Sequence, residues 1–313
     1  MKQEPDFIVC GEALFDVFVT GSTPSGMSLD ARVGGSPFNV AVGLARLAQS
    51  VAFFGSLSRD PFGDFLAAAL ASEGVDTSTV VRTDAPTTLS MVSLDALGVP
   101  SYEFDGERRA DRQLMLEALE YVHGRTRAIH LGSYATVVEP IAGTLRALVE
   151  RVRGRSLVAY DPNVRLGVVP DPTTWRRALE WMLPRTDLLK VSEDDLRVLT
   201  PEASPDAFAA HALKAGVALV VVTRGPYGAA GWTREAKSTV PAAPVSVIDT
   251  VGAGDTFQAG LLTWLAEHAA LEREGLASLT VAALRDALTF AARAAAITCS
   301  RRGADMPRRA ELR

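Results

Sequence analysis

Short, unbroken runs of apolar residues recur along this 313-residue chain and alternate with stretches whose apolar spacing suits amphipathic helices. Unbroken rather than alternating runs are typical of strands that are buried on both faces of a parallel sheet. The runs lie at 51–54, 128–131, 157–160, 188–191 and 217–222, and the helical candidates lie at 62–73, 111–121, 174–183 and 205–215. This alternation predicts an α/β fold with a doubly wound, mostly parallel sheet. Ligands of such folds bind at the carboxyl ends of the strands.

Two segments interrupt this alternation. Residues 15–33 contain glycine and serine and are too irregular for a helix, and residues 87–107 contain an alternating stretch at 89–94. We predict that both form antiparallel strands of a small sheet outside the main one, which would serve as a lid that excludes water. We find no linker long enough to separate independent domains, so a single domain is expected over residues 1–313.

The composition is that of an ordinary globular enzyme, with 48% hydrophobic and 22% charged residues. The net charge of -5 and the scattered basic residues argue against nucleic acid as a partner. No apolar run reaches the roughly 18 residues that a membrane span needs, and the first residues lack the apolar region of a signal peptide. Because the chain has only Cys10 and Cys299, both in apolar surroundings, we expect a reduced, cytoplasmic protein.

The segment 245–257 carries the strongest functional signal. It predicts a strand, a turn built from Gly252, Ala253 and Gly254, and a helix whose first turn contains Asp255. The N–H groups at a helix start lack intrahelical partners and bind anions, typically phosphate. A carboxylate at such a place suits a residue that accepts a proton from a hydroxyl while the N–H groups hold a phosphoryl group. A tight strand-to-helix connection capped by an acidic residue is the alternative.

A second glycine-rich segment opens another predicted helix. Ser36 is placed to cap this helix and Pro37 falls at its favoured first position. Asn39 then lies in the first turn, where its amide can reach a ligand beside Gly34 and Gly35. A capped helix with a polar first turn explains the same residues.

Three further polar segments directly follow predicted strands and therefore belong to the ligand edge of the sheet. Residues 161–165 end in Arg165, whose guanidinium suits a phosphate or the charge of a transition state. Residues 190–195 place carboxylates at a helix start, where Asp195 could hold Mg²⁺ through water and where plain capping is equally suitable. Residues 223–228 suit either a nucleotide or a simple hairpin turn.

Several motifs are absent from the sequence. It contains no P-loop, no dinucleotide fingerprint, no H-E-x-x-H and no paired C-x-x-C. We therefore expect neither a P-loop or dinucleotide-binding site nor a zinc site. The four histidines are scattered and are expected to be structural or exposed.

Residues 249–257 and 34–39 resemble the two signatures of the ribokinase-like (PfkB) carbohydrate kinase family. The resemblance extends through residues 297–304 and therefore covers nearly the whole chain. It implies ATP-dependent, Mg²⁺-assisted phosphorylation of a sugar hydroxymethyl group beneath a β-sheet lid, with K⁺ as a further cofactor in many members. It also implies sugar and ATP as the small-molecule partners and a homodimer formed through the lid.

The resemblance assigns roles to individual residues. Asp255 matches the catalytic base, and Gly252, Ala253 and Gly254 match the anion hole. The residues matched to the sugar are Asp16, Gly34, Gly35, Asn39, Tyr102, Arg165 and Asp255. Those matched to the nucleotide are Ser192, Thr223, Arg224, Gly225, Gly228, Gly254 and Arg293. Those matched to a monovalent cation are Asp249, Val251, Thr298 and Gly303, with Asp195 matched to Mg²⁺ through water.

One family motif departs from its usual form. The N-x-x-E motif reads Ser192 to Asp195 here, so that an amide becomes a hydroxyl and the carboxylate is one methylene shorter. Members of the family that phosphorylate fructose often show this serine together with Gly-Gly-x-Pro-x-Asn and Asp-Pro-Asn-x-Arg, and both motifs occur in this chain. D-fructose is therefore the expected substrate, with Arg165 steadying the transferred phosphoryl group. The alternatives are a 2-keto-3-deoxygluconate kinase, a ribokinase, or a sugar-sensing module without catalysis.

Overall fold

The computed structural model describes residues 4–94, 100–104, 106, 108–123 and 126–312. The strands are β1 (Phe7–Cys10), β2 (Leu14–Thr23), β3 (Gly26–Gly34), β4 (Val51–Phe54), β5 (Ser56–Ser58), β6 (Val81–Thr83), β7 (Leu89–Leu94), β8 (Pro100–Phe104), β9 (Ala128–Gly132), β10 (Leu157–Asp161), β11 (Leu188–Ser192), β12 (Leu219–Thr223), β13 (Ala229–Trp232) and β14 (Lys237–Val240). The α-helices are α1 (Ser36–Arg46), α2 (Pro61–Ser72), α3 (Ile141–Val152), α4 (Pro172–Met182), α5 (Glu193–Leu199), α6 (Pro205–Ala215), α7 (Ala253–Glu267), α8 (Arg273–Ala277) and α9 (Val281–Cys299).

The main sheet has eight strands in the order β14-β13-β12-β11-β10-β9-β1-β4. The strands from β12 to β4 are parallel, whereas β13 and β14 are antiparallel additions at one edge. Each of the five predicted apolar runs lies in one of the parallel strands, and the last of them forms a strand only from Leu219 onwards. The predicted mostly parallel sheet is therefore confirmed.

Helices cover both faces of this sheet. On one face, Leu44 of α1, Leu261 of α7 and Leu288 of α9 are buried in a shared core. On the other face, Leu145 of α3 and Phe208 of α6 are buried in a second core. Burial of each such side chain stabilises the fold by about 1.5–3 kcal/mol. Among the described residues, every helix falls short of the length or the apolar character that a membrane crossing requires.

A separate four-stranded sheet has the order β3-β2-β7-β8. Its strands coincide with the two segments predicted to interrupt the alternation, and β2 and β3 extend one residue beyond the first segment at its two ends. Residues 95–99, 105 and 107 lie outside the described residues. The expectation of purely antiparallel strands needs a correction, because β2 and β7 are parallel. The long chain between these two strands, which includes α1 and α2, permits the crossover that a parallel pair requires.

Two other local predictions were wrong. Residues 111–121 form two short 3₁₀ helices rather than an α-helix, because the buried carboxylate of Asp111 is fixed by the hydroxyls of Thr88 and Tyr134. Residues 245–248 do not form a strand. Val247 and Ile248 are exposed there, and the Ile248 N–H donates to the carbonyl of Cys299 instead of to a neighbouring strand.

Candidate active site

The starts of α1 and α7 meet at the carboxylate of Asp255. Its Oδ1 accepts a hydrogen bond from the Ser36 hydroxyl at 2.6 Å, and its Oδ2 accepts one from the Asn39 amide at 2.9 Å. The carboxylate is largely buried, with 8% of the residue exposed. Asp255 is therefore held in one orientation by two residues that lie more than two hundred positions away in the sequence.

The side chain of Ser36 does not cap α1, contrary to the sequence prediction. The N-cap is Gly35, with a φ of 104°, and Pro37 occupies the second rather than the first helical position. A Cβ on Gly35 would lie 2.7 Å from the carbonyl oxygen of Glu12, so the turn admits only glycine. The hydroxyl of Ser36 is thereby free to reach across to α7.

The start of α7 agrees with the sequence prediction at Gly252 and Asp255, whereas Ala253 and Gly254 belong to the helix rather than to the turn before it. Gly252 is its N-cap, with a left-handed φ of 75°, and no side chain caps the helix. A Cβ on Gly252 would lie 2.5 Å from the Cβ of Ala304. Ala253 and Gly254 follow in the first turn beside Asp255. The N–H of Ala253 donates to the carbonyl of Thr250 at 3.2 Å, so anion binding at this uncapped turn depends on its other N–H groups and on the positive end of the helix dipole.

Asp16 lies on β2 close to the same site. Burial raises the pKa of Asp16 to about 6, and the Asp255 carboxylate raises it further, while the Ser90 hydroxyl and the Arg165 guanidinium act in the opposite direction. A Cβ on Gly34 would lie 2.6 Å from Oδ2 of Asp16, so glycine leaves this carboxylate accessible from β3. The structure thus brings together Asp16, Gly34, Arg165 and Asp255.

Sequence reasoning missed Glu12, which follows β1 after Gly11. This residue is 1% exposed, and its Oε2 atom has no hydrogen-bond partner among the described residues. Burial raises the pKa of Glu12 to about 8, against the opposing effects of the Ser133 hydroxyl and the Arg165 guanidinium. The signal was available, because a polar residue just beyond the end of a parallel strand lies at the ligand edge of the sheet.

The exposed Arg165 lies in the loop after β10, and Asp195 anchors that loop. Oδ1 of Asp195 accepts the Val164 N–H at 2.9 Å, and its Oδ2 accepts the Ser192 hydroxyl at 2.7 Å. The Ser192 hydroxyl in turn accepts the N–H of Asp195, which completes a capping box at the start of α5. Ser192 and Asp195, which differ from the family motif, therefore connect α5 to the loop that carries Arg165.

The segment 223–228 forms a tight hairpin between β12 and β13. Thr223 lies beside Ser192 in the register of the sheet, so both residues reach the same edge. The N–H of Arg224 donates to the carbonyl of Gly228 at 2.7 Å, and Gly225 begins a short 3₁₀ turn. A Cβ on Gly228 would lie 2.0 Å from the Val240 carbonyl, so the hairpin itself accounts for this glycine. The prediction of a simple hairpin turn at residues 223–228 is therefore correct for the backbone. The prediction that this segment binds a nucleotide stays a prediction.

Two residues of the predicted sugar and nucleotide sets remain, Arg293 and Tyr102. Arg293 lies exposed on α9. Tyr102 lies on β8, where its side chain is outside the described residues. Both assignments stay predictions.

The residues predicted for a monovalent cation surround the loop before α7. Oδ1 of Asp249 accepts the Val251 N–H at 3.0 Å, and its Oδ2 accepts the Gly303 N–H at 2.8 Å. Thr298 is buried, and its hydroxyl lies 2.8 Å from that of Thr256. Among the described residues, no cluster of three or more His, Cys, Asp or Glu side chains could hold a metal by itself.

Residues 6–310 match the family described as pfkB family carbohydrate kinase. The chain belongs to this family. It is 36% identical over 279 residues to a fructokinase of Rhizobium leguminosarum bv. trifolii, a match that covers 89% of this chain and 85% of that protein. The sequence prediction of a PfkB carbohydrate kinase is confirmed, and the chain is a phosphotransferase that acts on a sugar hydroxyl group.

Solved structures agree with this assignment. Fructokinase with bound ATP from Xylella fastidiosa has a TM-score of 0.86 and 30% identity, covering 99% of this chain and 97% of that chain. Fructokinase from Vibrio cholerae O395 in fructose, ADP and calcium ion bound form has a TM-score of 0.80 and 29% identity, covering 98% and 97%. A double mutant of the latter, in fructose, ADP and potassium ion bound form, has a TM-score of 0.83 and 28% identity, covering 99% and 98%.

Proposed function

We propose that this protein is an ATP-dependent fructose kinase, which transfers the γ-phosphoryl group to a hydroxymethyl group of D-fructose. The observation that carries the proposal is the buried Asp255 carboxylate, oriented by Ser36 and Asn39 at the uncapped start of α7. The relatives named fructokinase support the choice of sugar.

Asp255 acts on the acceptor hydroxyl. As the hydroxyl oxygen attacks the γ-phosphorus, the bond from that phosphorus to the bridging oxygen breaks, ADP departs, and the hydroxyl proton passes to the carboxylate. The hydrogen bonds from Ser36 and Asn39 keep one face of Asp255 fixed towards α1 during this step. Because the transition state of phosphoryl transfer is loose, positioning and charge stabilisation account for most of the catalysis.

The first turn of α7 supplies part of that stabilisation. The N–H groups of Gly252 and Gly254 form the anion hole for the transferred group, joined by that of Ala253 when it exchanges the Thr250 carbonyl for the anion. Arg165 approaches this hole from the loop after β10. Asp16, Gly34, Gly35 and Asn39 bind the sugar hydroxyls, as does Tyr102 in the same proposal.

The nucleotide lies along the hairpin at 223–228, with Ser192 beside it and Arg293 towards the adenine. Bound Mg²⁺ would neutralise phosphate charge, and Asp195 would hold that ion through water. Asp249, Val251, Thr298 and Gly303 would hold K⁺ at the loop before α7.

We also propose that the chain acts as one domain in a reduced, cytoplasmic setting, with neither nucleic acid nor membrane as a partner. Two chains associate through the lid sheet as a homodimer. Exposed apolar side chains on β2 and β3 support this dimer, namely Val19, Met27 and Leu29.

A coupled ADP-release assay tests the function directly. The purified protein is offered fructose, ribose, 2-keto-3-deoxygluconate, glucose and adenosine in turn, each with ATP and Mg²⁺. The proposal predicts the highest kcat/KM with fructose. Preference for 2-keto-3-deoxygluconate or ribose would replace the substrate, and binding of a sugar without ADP release would leave only a sensing role.

A further inference from the structure

Three polar side chains lie on one face of three adjacent strands, next to the start of α7. They are His130 on β9, Asp161 on β10 and Lys190 on β11, at most 3% exposed as residues. Side chains alternate between the faces of a strand, and the same-face neighbours Ala159 and Leu188 belong to the core that α7 covers. We call His130, Asp161 and Lys190 the polar seat of α7.

The polar seat contacts α7 at two points. Nδ1 of His130 lies 3.4 Å from the side-chain nitrogen of Gln258. Nζ of Lys190 lies 3.3 Å from the position that a Cβ on Gly254 would occupy. The ammonium therefore lies directly against the glycine that closes the anion hole, and a side chain at Gly254 would press on it.

Asp161 fixes this ammonium in place. Its Oδ2 accepts a hydrogen bond from Lys190 at 2.5 Å, and the two side chains are 2% and 4% exposed. Its Oδ1 is buried and has no hydrogen-bond partner. Burial raises the pKa of Asp161 to about 6 despite the Lys190 charge, and the carboxylates of Asp195 and Asp255 add to the effect.

Stability alone does not account for such a pair. Ion pairs of this kind are often no more stabilising than apolar residues of the same volume, because both charges lose their hydration. A cation beside the positive end of a helix is a further cost. An anion bound at the start of α7 lowers both costs, because the Lys190 ammonium and the positive end of the helix dipole both attract it.

We propose that Lys190 is a positioning residue for phosphoryl transfer, whose buried charge strengthens the anion hole at Gly254 while Asp161 holds the ammonium there. The inference rests on the proposed kinase function and deepens it. Lys190 acts through the first turn of α7, from the side of the sheet, whereas Arg165 lies in the exposed loop after β10.

Two variants distinguish the effect of the Lys190 charge on turnover from its effect on the stability of the fold. Lys190→Met removes the ammonium but leaves Asp161 buried without its partner, so it lowers both stability and turnover. The double variant Asp161→Asn with Lys190→Met contains no buried charge at either position and should therefore regain thermal stability. We expect kcat with fructose to stay about 10- to 100-fold below wild type in both variants, as the loss of one nearby charge implies.

Lys237→Met is the matched control. Lys237 forms an ion pair with Asp206 at 2.5 Å, as Lys190 does with Asp161, but both side chains are exposed. This variant should retain wild-type turnover.

Binding of tripolyphosphate, measured by calorimetry without sugar or turnover, gives an independent reading of the anion site. We expect its Kd to rise about 10-fold or more in the double variant and to stay unchanged in Lys237→Met. Recovery of both kcat and tripolyphosphate affinity in the double variant would overturn the inference, because Lys190 would then be merely structural. A wild-type protein that binds tripolyphosphate through Lys190 yet phosphorylates no sugar would refute the kinase function and leave the anion site standing.

Discussion

At the scale of single residues, the proposed chemistry depends on how Asp255 is oriented. The hydroxyl of Ser36 and the amide of Asn39 each donate to a different oxygen of its carboxylate. Hydrogen bonds to a charged group contribute about 1.5–3 kcal/mol, and they fix the geometry as well. Ser36 therefore orients the proposed catalytic carboxylate, although it resembles an ordinary helix cap in the sequence.

Ser36→Ala should lower turnover about 10-fold, because Asp255 loses the shorter of its two hydrogen bonds. The affinity for ATP should hardly change, since Ser36 lies on α1 and away from the hairpin at 223–228. Steady-state kinetics with fructose and ATP measure both quantities, and Ser72→Ala, which alters an exposed hydroxyl on α2, is the control. Equal turnover in the two variants would contradict the role of Ser36.

Glu12 makes the stability depend on pH. Burial raises the pKa of Glu12 from 4.5 to about 8, so the folded chain holds this proton more tightly than the unfolded chain does. The resulting stabilisation is complete below pH 4.5 and is lost as the pH rises through about 8. Glutamine has no proton to lose. Glu12→Gln should therefore gain several degrees in Tm relative to wild type between about pH 5 and about pH 9.

Scanning calorimetry across this pH range checks the prediction. Glu117→Gln, at an exposed glutamate, should show no such trend. A difference in Tm between Glu12→Gln and wild type that stays constant with pH would mean that Glu12 does not titrate as described.

At the scale of elements, the site is assembled from the ends of parallel strands and the starts of helices. Asp195 at the start of α5 joins two of these elements, because it accepts both the Ser192 hydroxyl and the Val164 N–H. The loop after β10 is thus tied to α5 beside Arg165. Ser192 and Asp195, which replace the asparagine and glutamate of the family motif, form a capping box. Asp195 makes an additional hydrogen bond to the loop after β10.

Asp195→Ala should therefore act through the loop. We expect kcat to fall about 10-fold and Tm to fall by a few degrees, since a buried cap and one loop contact are lost. Asp194→Ala is the control, because that side chain is 85% exposed and contacts only its own helix. In a double-mutant cycle with Arg165→Ala, the effects on kcat should be far from additive. Additive effects would separate Asp195 from Arg165.

At the scale of the whole molecule, the proposed dimer would form through the four-stranded lid sheet, β3-β2-β7-β8. Val19 and Leu29 are cross-strand neighbours on β2 and β3, and about half of each is exposed. Leu29→Arg should therefore shift a dimer towards monomer in analytical ultracentrifugation, while Met115→Arg, at an exposed site just before a 3₁₀ helix, should not. A wild-type protein that sediments as a monomer would refute the lid dimer.

The sequence was sufficient for the features that depend on local pattern. The parallel strands and the glycine turn at Gly252 follow from unbroken apolar runs and from the turn chemistry of glycine. The contacts that join distant segments were not readable in this way. Ser36 and Asp255 meet across 219 positions, and Lys190 meets Asp161 across a strand pair, so only the folded sheet brings them together.

The two wrong secondary-structure predictions have the same origin. Val247 and Ile248 have the β-branched character of a strand, but none of the described strands pairs with them, so propensity alone did not decide their conformation. The segment around Asp111 has helical spacing, but the fixed carboxylate of that residue determines its path. In both segments, tertiary contacts rather than local propensity determine the conformation of the backbone.

The most direct test of the account is the turnover of Asp255→Asn with fructose and ATP, measured beside the affinities for both ligands by calorimetry. Asparagine preserves the size of the side chain but accepts no proton. We predict that turnover falls by about 10²- to 10⁴-fold, while both affinities stay within about threefold of wild type. Turnover close to that of the wild type would contradict the account, because the carboxylate would then have no part in the transfer.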